Sequence, residues 1–236
     1  MIELIVDEKE IKTETGKSVL QACLENGIFI PNLCFIKTRQ HPHASCRLCF
    51  VEIDGFGRPV TSCTEKVGEG LVVRTDTPPV RRLQRMAFKL LMSGHPCDAK
   101  VCPVKGGCQL IRIAKHLKVG LNPKPLEFIE REVAQEVDLT FFTYYPFRCV
   151  LCGKCVYVCR ERNGHNLLTF AQRGFDTVIG FFGSVDPADL PCHTCLACAT
   201  ICPTGALIPK SELIKGANTT SQPPAFRNQS NQLRQG

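Results

Sequence analysis

Cys149, Cys152, Cys155 and Cys159 follow one another as C-x2-C-x2-C-x3-C, and Cys192, Cys195, Cys198 and Cys202 repeat that spacing. Three cysteines at two-residue intervals form a loop tight enough to wrap three corners of an iron–sulfur cubane. The fourth corner is reached from a distant segment, so the last cysteine of each run serves the other cluster. The spacing therefore predicts one [4Fe–4S] cluster on Cys149, Cys152, Cys155 and Cys202. A second is expected on Cys159, Cys192, Cys195 and Cys198. Zinc is usually held by two C-x2-C pairs across a linker, and a doubled three-cysteine ladder departs from that. A zinc-stabilised interaction module with no redox role is the alternative of a different class.

A second cysteine set, Cys34, Cys46, Cys49 and Cys63, is spaced C-x11-C-x2-C-x13-C. It keeps the central C-x2-C of the plant-type [2Fe–2S] pattern while lengthening the first gap. His41 and His43 lie in that long gap. Four cysteines already suffice, so both are read as loop residues rather than ligands of a Rieske type. The flanking sequence supplies a frame. "IELIVD" and "EIKTET" alternate as two strands around a turn near Asp7–Lys9. "GKSVLQACLENG" reads as a helix stopped by Gly27, with Cys23 on its apolar face as a small core residue. "LCFVEIDG" and "GLVVRTD" add two more strands. Hairpin, helix, cysteine loop and strands together suggest a β-grasp ferredoxin domain ending near Asp76.

Between the two regions, "PPVRRLQRMAFKLLMSGH" begins with prolines at a helix start. Val80, Leu83, Met86, Ala87, Leu90 and Leu91 form its apolar stripe, with Arg81, Arg82, Arg85 and Lys89 on a solvated face. This helix leads into "SGHPCDAKVCPVKGGC", a histidine and three cysteines whose spacing fits neither a zinc finger nor a disulfide hairpin. Farther on, "NLLTFAQRGFDTVIGFFG" reads as a hairpin turning at Arg173–Gly174, inserted between the two cysteine ladders.

The N-terminus lacks a secretory signal, and no window approaches the ~18 apolar residues of a membrane span. A cytoplasmic location, where sixteen cysteines point to metal rather than disulfides, is expected. The formal charge is +7 with cysteines counted neutral. Four-thiolate clusters contribute roughly −2 each and one with a histidine ligand roughly −1, which brings the total near zero. The basic excess then neutralises cofactors, and no nucleic-acid partner is expected. No G-x-G-x-x-G follows a strand, and there is no Walker loop. The chain is expected to have no active site of its own.

The order of these parts resembles the N-terminal region of the large iron–sulfur subunit of respiratory complex I. Its extent resembles the small diaphorase subunit of bidirectional or bifurcating NAD(P)-linked hydrogenases. The likeness covers residues 1 to about 212. In that family a third cluster is held by H-x3-C-x2-C-x5-C. Here Ala99 stands where the first cysteine belongs and Cys97 lies two residues upstream. The resemblance implies a [4Fe–4S] cluster on His95, Cys97, Cys102 and Cys108 in a remodelled loop. Loss of this cluster, ligation without His95, or Asp98 or solvent at the fourth iron are the alternatives. It also implies an α+β architecture. Its expected segments are a [2Fe–2S] domain at 1–77, a histidine- and cysteine-ligated cluster segment at 78–120, a connector at 121–140, a two-[4Fe–4S] ferredoxin domain at 141–212 and a polar tail at 213–236.

The implied function is electron relay through one [2Fe–2S] and three [4Fe–4S] clusters inside a multisubunit NAD(P)-linked oxidoreductase. The implied partners are a flavin subunit that handles NAD(P)H and hydrogenase catalytic subunits. The equivalent subunit of a NAD-dependent formate dehydrogenase is the alternative of the same class. Anaerobically prepared protein is expected to hold about 14 iron atoms per chain, measured by metal analysis beside the visible spectrum. A zinc-dominated, colourless preparation overturns the reading.

Overall fold

The computed structural model describes residues 1–100, 102, 104–164, 166–182 and 192–210. The polar tail expected at 213–236 lies outside them. The chain divides into two units, Met1–Cys102 with Gln109–Glu130 and Pro103–Cys108 with Arg131–Gly236. Helix and sheet are mixed in sequence order, an α+β composition.

In the first unit, alternation in the opening residues produces a hairpin of β1 (Ile2–Val6) and β2 (Lys9–Thr13), with Leu4 opposite Ile11. Leu4, Val6 and Ile11 turn inward and are buried. Asp7 and Glu8 both take positive φ at the turn, the geometry that two-residue hairpin loops demand. Asp7 is held there because its carboxylate accepts hydrogen bonds from the Thr75 amide and hydroxyl, at 2.7 and 2.5 Å. The helix α1 (Val19–Glu25) starts where the Ser18 hydroxyl accepts from the Gln21 amide at 3.2 Å. It buries Val19, Leu20, Ala22 and Cys23, so Cys23 is a core residue as expected. Burial pushes its thiol up to about 12.

Strands β3 (Phe50–Ile53), β4 (Val60–Thr61) and β5 (Leu71–Arg74) complete a five-stranded sheet of order β2-β1-β5-β3-β4. The β1–β5 pair is parallel. Cys49 and Cys63 belong to the same buried cluster as Leu4, Val6, Leu20 and Ile53. The long loop carrying the first cysteines is thus anchored to the core at its far end.

The helix α2 (Pro78–Ser93) begins at Thr77, whose hydroxyl accepts from the Val80 amide at 3.3 Å. Its buried face is rotated from the expected stripe. Val80, Gln84, Ala87, Phe88, Met92 and Ser93 are buried, while Met86 and Leu90 are 44% and 57% exposed. Gln84 is drawn inward because its amide donates to the Phe50 carbonyl at 3.0 Å. A polar residue with a backbone partner can thereby occupy a core position that hydrophobic periodicity alone does not assign to it. The helix α3 (Gln109–Leu117) packs on α2 and buries Leu110, Ile113, Ala114 and Leu117. Arg85 tethers the pair by donating to the Leu117 carbonyl at 3.2 Å.

In the second unit, β6 (Val137–Asp138), β7 (Phe142–Tyr144) and β10 (Leu207–Pro209) form a sheet of order β10-β7-β6. The chain leaves β7, runs through the first cysteine ladder into α4 (Lys154–Asn163), and then makes the expected hairpin. That hairpin is β8 (Leu168–Ala171) with β9 (Val178–Phe181), paired Leu168 to Phe181 and Ala171 to Val178. The second ladder follows as α5 (Cys192–Cys195) and α6 (Ala197–Ile201), and α6 packs on α4. β10 then returns the chain beside β7. Among the described residues no helix is long and apolar enough to cross a membrane.

The rotated α2 face sets a clear expectation for stability. Phe88→Ala should cost about 3–5 kcal/mol. Leu90→Ser, at a site the apolar stripe would have buried, should change stability by less than about 0.5 kcal/mol. Denaturant unfolding of the anaerobic full chain measures both. Equal effects would place Leu90 in the core.

Candidate cluster-binding sites

None of the sixteen cysteines is in a disulfide. In the first unit Cys34 and Cys46 stand with sulfurs 3.4 Å apart, and Cys49 and Cys63 share a side-chain hydrogen bond. All four are buried. The loop achieves this convergence through Ala44 and Arg47, both at positive φ on either side of Cys46. The proximity splits the protons. Sharing with Cys46 draws the Cys34 thiol down to about 5. The Cys34 partner, with burial, pushes Cys46 up, since a second thiolate would sit against the first. Sulfurs this close and this buried suit a cationic metal core that replaces the shared protons. His41 is exposed and His43 half-buried.

In the second unit the two ladders interlock. Cys149, Cys152, Cys155 and Cys202 line a small cavity together with Tyr144, Ile179 and Thr204. Cys159, Cys192, Cys195 and Cys198 line a second small cavity with Phe142, Leu168 and Phe181. The grouping places Cys202 with the first ladder and Cys159 with the second, the exchange that the spacing implied. Among the described residues no three His, Cys, Asp or Glu side chains converge as a single ion requires.

Repeated backbone geometry shapes each ladder. Gly153 and Leu196 both follow the second cysteine of their run, and both take a left-handed conformation just before a helix begins. Only Gly adopts that conformation freely, so Leu196 holds its place against some strain. The third cysteines, Cys155 and Cys198, then fall in the first turns of α4 and α6.

Burial governs the electrostatics. It pushes Cys152 and Cys198 up to about 12 and Cys192 to about 11, with neighbouring cysteines adding like-charge repulsion. Opposing donors surround the first set. The Ala206 amide donates to the Cys202 sulfur at 3.2 Å, and the Lys154 amide and ammonium act on Cys152. Lys154 is itself buried. Arg131 acts on Cys149 while donating to the carbonyls of Phe175 and Thr177 at 2.9 and 2.5 Å. Cysteine spacing identifies none of these donors. Only the position of Lys154, inside the first ladder, gives a signal in the sequence.

The third predicted set is divided. His95, Cys97 and Cys102 fall in the first unit and Cys108 in the second. His95 and Cys108 are buried, Cys97 and Cys102 half-buried. The Cys102 amide bonds the Asp98 carbonyl at 3.0 Å, closing a short turn. Asp98, the alternative ligand, is exposed and its carboxylate accepts from the Lys100 amide at 2.8 Å. Within the second unit Val104, from the same loop, packs against Gly205 beyond the second ladder.

Comparison with known proteins follows the same division. Residues 1–78 match the family described as a 2Fe-2S iron-sulfur cluster binding domain. Residues 148–206 match that described as a 4Fe-4S dicluster domain. The chain is 35% identical to NADPH-Fe(3+) oxidoreductase subunit alpha of Geobacter sulfurreducens, over 92% of this chain and 25% of that protein. It is 33% identical to a NADH-quinone oxidoreductase subunit of Rhizobium meliloti, over 88% of this chain and 24% of that protein. It thus spans about a quarter of the length of these curated relatives. Among solved structures, a chain in the crystal structure of NAD+-reducing [NiFe]-hydrogenase in the H2-reduced state is similar with a TM-score of 0.73 and 27% identity. That likeness covers 93% of this chain and 90% of that one.

The Val104–Gly205 contact is testable. Gly205 has φ of +62°, and a Cβ there would lie 2.5 Å from Val104 Cγ1. Gly205→Ala should destabilise the protein by at least about 1 kcal/mol from the left-handed backbone alone. Adding Val104→Ala should recover part of the remaining loss, measured by unfolding of single and double variants. Strict additivity would show that the two residues do not touch.

Proposed function

The chain belongs to the family of iron–sulfur subunits of NAD(P)-linked oxidoreductases, and from that membership we propose that it is the electron relay of a hydrogenase-type complex. It takes electrons from a flavin-bearing subunit that handles NAD(P)H and passes them toward a hydrogenase catalytic subunit. The observation that carries this reading is the exchange of Cys159 and Cys202 between two adjoining buried cavities. That arrangement supports a two-cluster wire over two separate structural sites. The likeness to the hydrogenase chain over 90% of its length favours hydrogen chemistry at the far end.

The five-stranded sheet with α1 packed on it supports a β-grasp domain holding [2Fe–2S] on Cys34, Cys46, Cys49 and Cys63. The two cavities support [4Fe–4S] clusters on Cys149, Cys152, Cys155 and Cys202, and on Cys159, Cys192, Cys195 and Cys198. We assign a third [4Fe–4S] cluster to His95, Cys97, Cys102 and Cys108, and a cytoplasmic location. When bound, the clusters supply one-electron transfer at potentials set by ligands, hydrogen bonds and solvent access. The chain's own residues hold the thiolates in place, keep water from the cavities and surround the sulfurs with donors. His95, binding through a neutral imidazole, removes one negative charge relative to thiolate and so favours the reduced state.

Two measurements test the assignment. Purified alone, the chain should not oxidise NADH, and turnover with an artificial acceptor should appear when a flavin-bearing partner is added. Substantial turnover by the flavin-free chain contradicts the relay. Cys97→Ser should remove one paramagnetic centre, or convert it to a three-iron form, while the other clusters persist. Serine keeps the volume but is a poor ligand for soft iron–sulfur sites. Ala99→Cys in that background should restore the centre at least in part. Every signal surviving Cys97→Ser would show that Cys97 is not a ligand.

A further inference from the structure

Tyr144 ends β7 and is 2% exposed, although nothing in the cysteine pattern calls for a tyrosine there. Its hydroxyl oxygen accepts a hydrogen bond from the Ile179 amide on β9, at 3.1 Å. A backbone amide only donates, so this contact fixes the oxygen and leaves the hydroxyl's own proton aimed elsewhere. Cys149 lines the same cavity, and its charge acts on this hydroxyl. Burial pushes the Cys149 thiol up, and the bond from Tyr144 is among the influences drawing it back down. On Tyr144, burial and then the Cys149 charge push the phenol up, as expected of a hydroxyl that keeps its proton and donates it. Tyr144, Ile179 and the sulfurs of Cys149, Cys152, Cys155 and Cys202 line one cavity.

We propose that Tyr144, oriented by the Ile179 amide of the β8–β9 hairpin, is a positioning residue that sets the reduction potential of the cluster on Cys149, Cys152, Cys155 and Cys202. This rests on the ligand assignment made above. Reduction adds one electron, in the relay from the flavin-bearing partner, and part of its charge falls on the sulfurs. A hydroxyl donor gains strength as its acceptor gains charge, and the dry cavity amplifies the gain. The reduced form is therefore stabilised more than the oxidised form. Tyr144 keeps its proton throughout, so the step transfers an electron alone. The hairpin thereby acts on the cluster without contributing a ligand.

The test is Tyr144→Phe in the anaerobically prepared full chain, titrated with dithionite through mediators and followed by electron paramagnetic resonance. One [4Fe–4S] signal should move to lower potential, by about the 59 mV that a tenfold change in a one-electron equilibrium represents. The remaining signals should keep their midpoints, and iron content should match the unaltered chain. Full iron with every midpoint unmoved overturns the proposal and leaves the ligand assignment standing. If the unaltered chain lacks the cluster signals, the ligand assignment itself fails. If Tyr144→Phe loses the cluster, the unaltered protein decides. After brief transfer to D2O, which exchanges a hydroxyl ahead of strand-bound amides, electron–nuclear double resonance should show one proton coupling disappear from this cluster. No such loss overturns the proposal.

Discussion

A buried thiolate is costly, and the second unit gathers eight cysteines around two adjoining cavities. Burial holds their protons on, which is why Cys152, Cys192 and Cys198 are pushed up rather than down. A polycationic core that displaces those protons lets the sulfurs stay buried as thiolates, so metal binding at such a site is coupled to folding. The surrounding chain reflects the same pressure. Amides, a buried lysine and Arg131 face the first cysteine set, and apolar side chains line the second.

The first unit meets the same demand with a different frame. The sheet and short helix share one core with Cys49 and Cys63, and Phe35 and Ala44 of the cysteine loop pack against it. Cys34 and Cys46 arrive on the long loop, bent into place by backbone turns at Ala44 and Arg47. In the second unit Cys155, Cys159, Cys192, Cys198 and Cys202 belong to the hydrophobic cluster itself.

Much of this is legible in the chain's residue pattern. Alternation marks the β1–β2 hairpin and its turn, and two apolar stretches around Arg173–Gly174 mark the insertion hairpin. The spacing of the cysteine ladders already groups Cys202 with the first run and Cys159 with the second, the grouping in which they line the two cavities. What escapes is whatever depends on a partner distant in the chain. Gln84 is buried because the Phe50 carbonyl, on another element, accepts from it, and Leu90 is exposed as the helix turns to allow this. Tyr144 looks like one more alternating strand residue, since its role requires Ile179 from beyond α4. The His95–Cys108 loop is a different case, since periodicity does not apply to a loop.

Cys155 and Cys159 sit one helical turn apart on α4, yet on the proposed ligation they serve different clusters. Their separation along the axis is about 6 Å, fixed by hydrogen bonds rather than by a loop. The spacing of the two redox centres is therefore written into a rigid rod and does not depend on what connects the ladders. Evolution is left free to lengthen, shorten or redecorate the β8–β9 insertion without changing how far the electron travels. The tunnelling distance is held by geometry, while the insertion remains available for tuning.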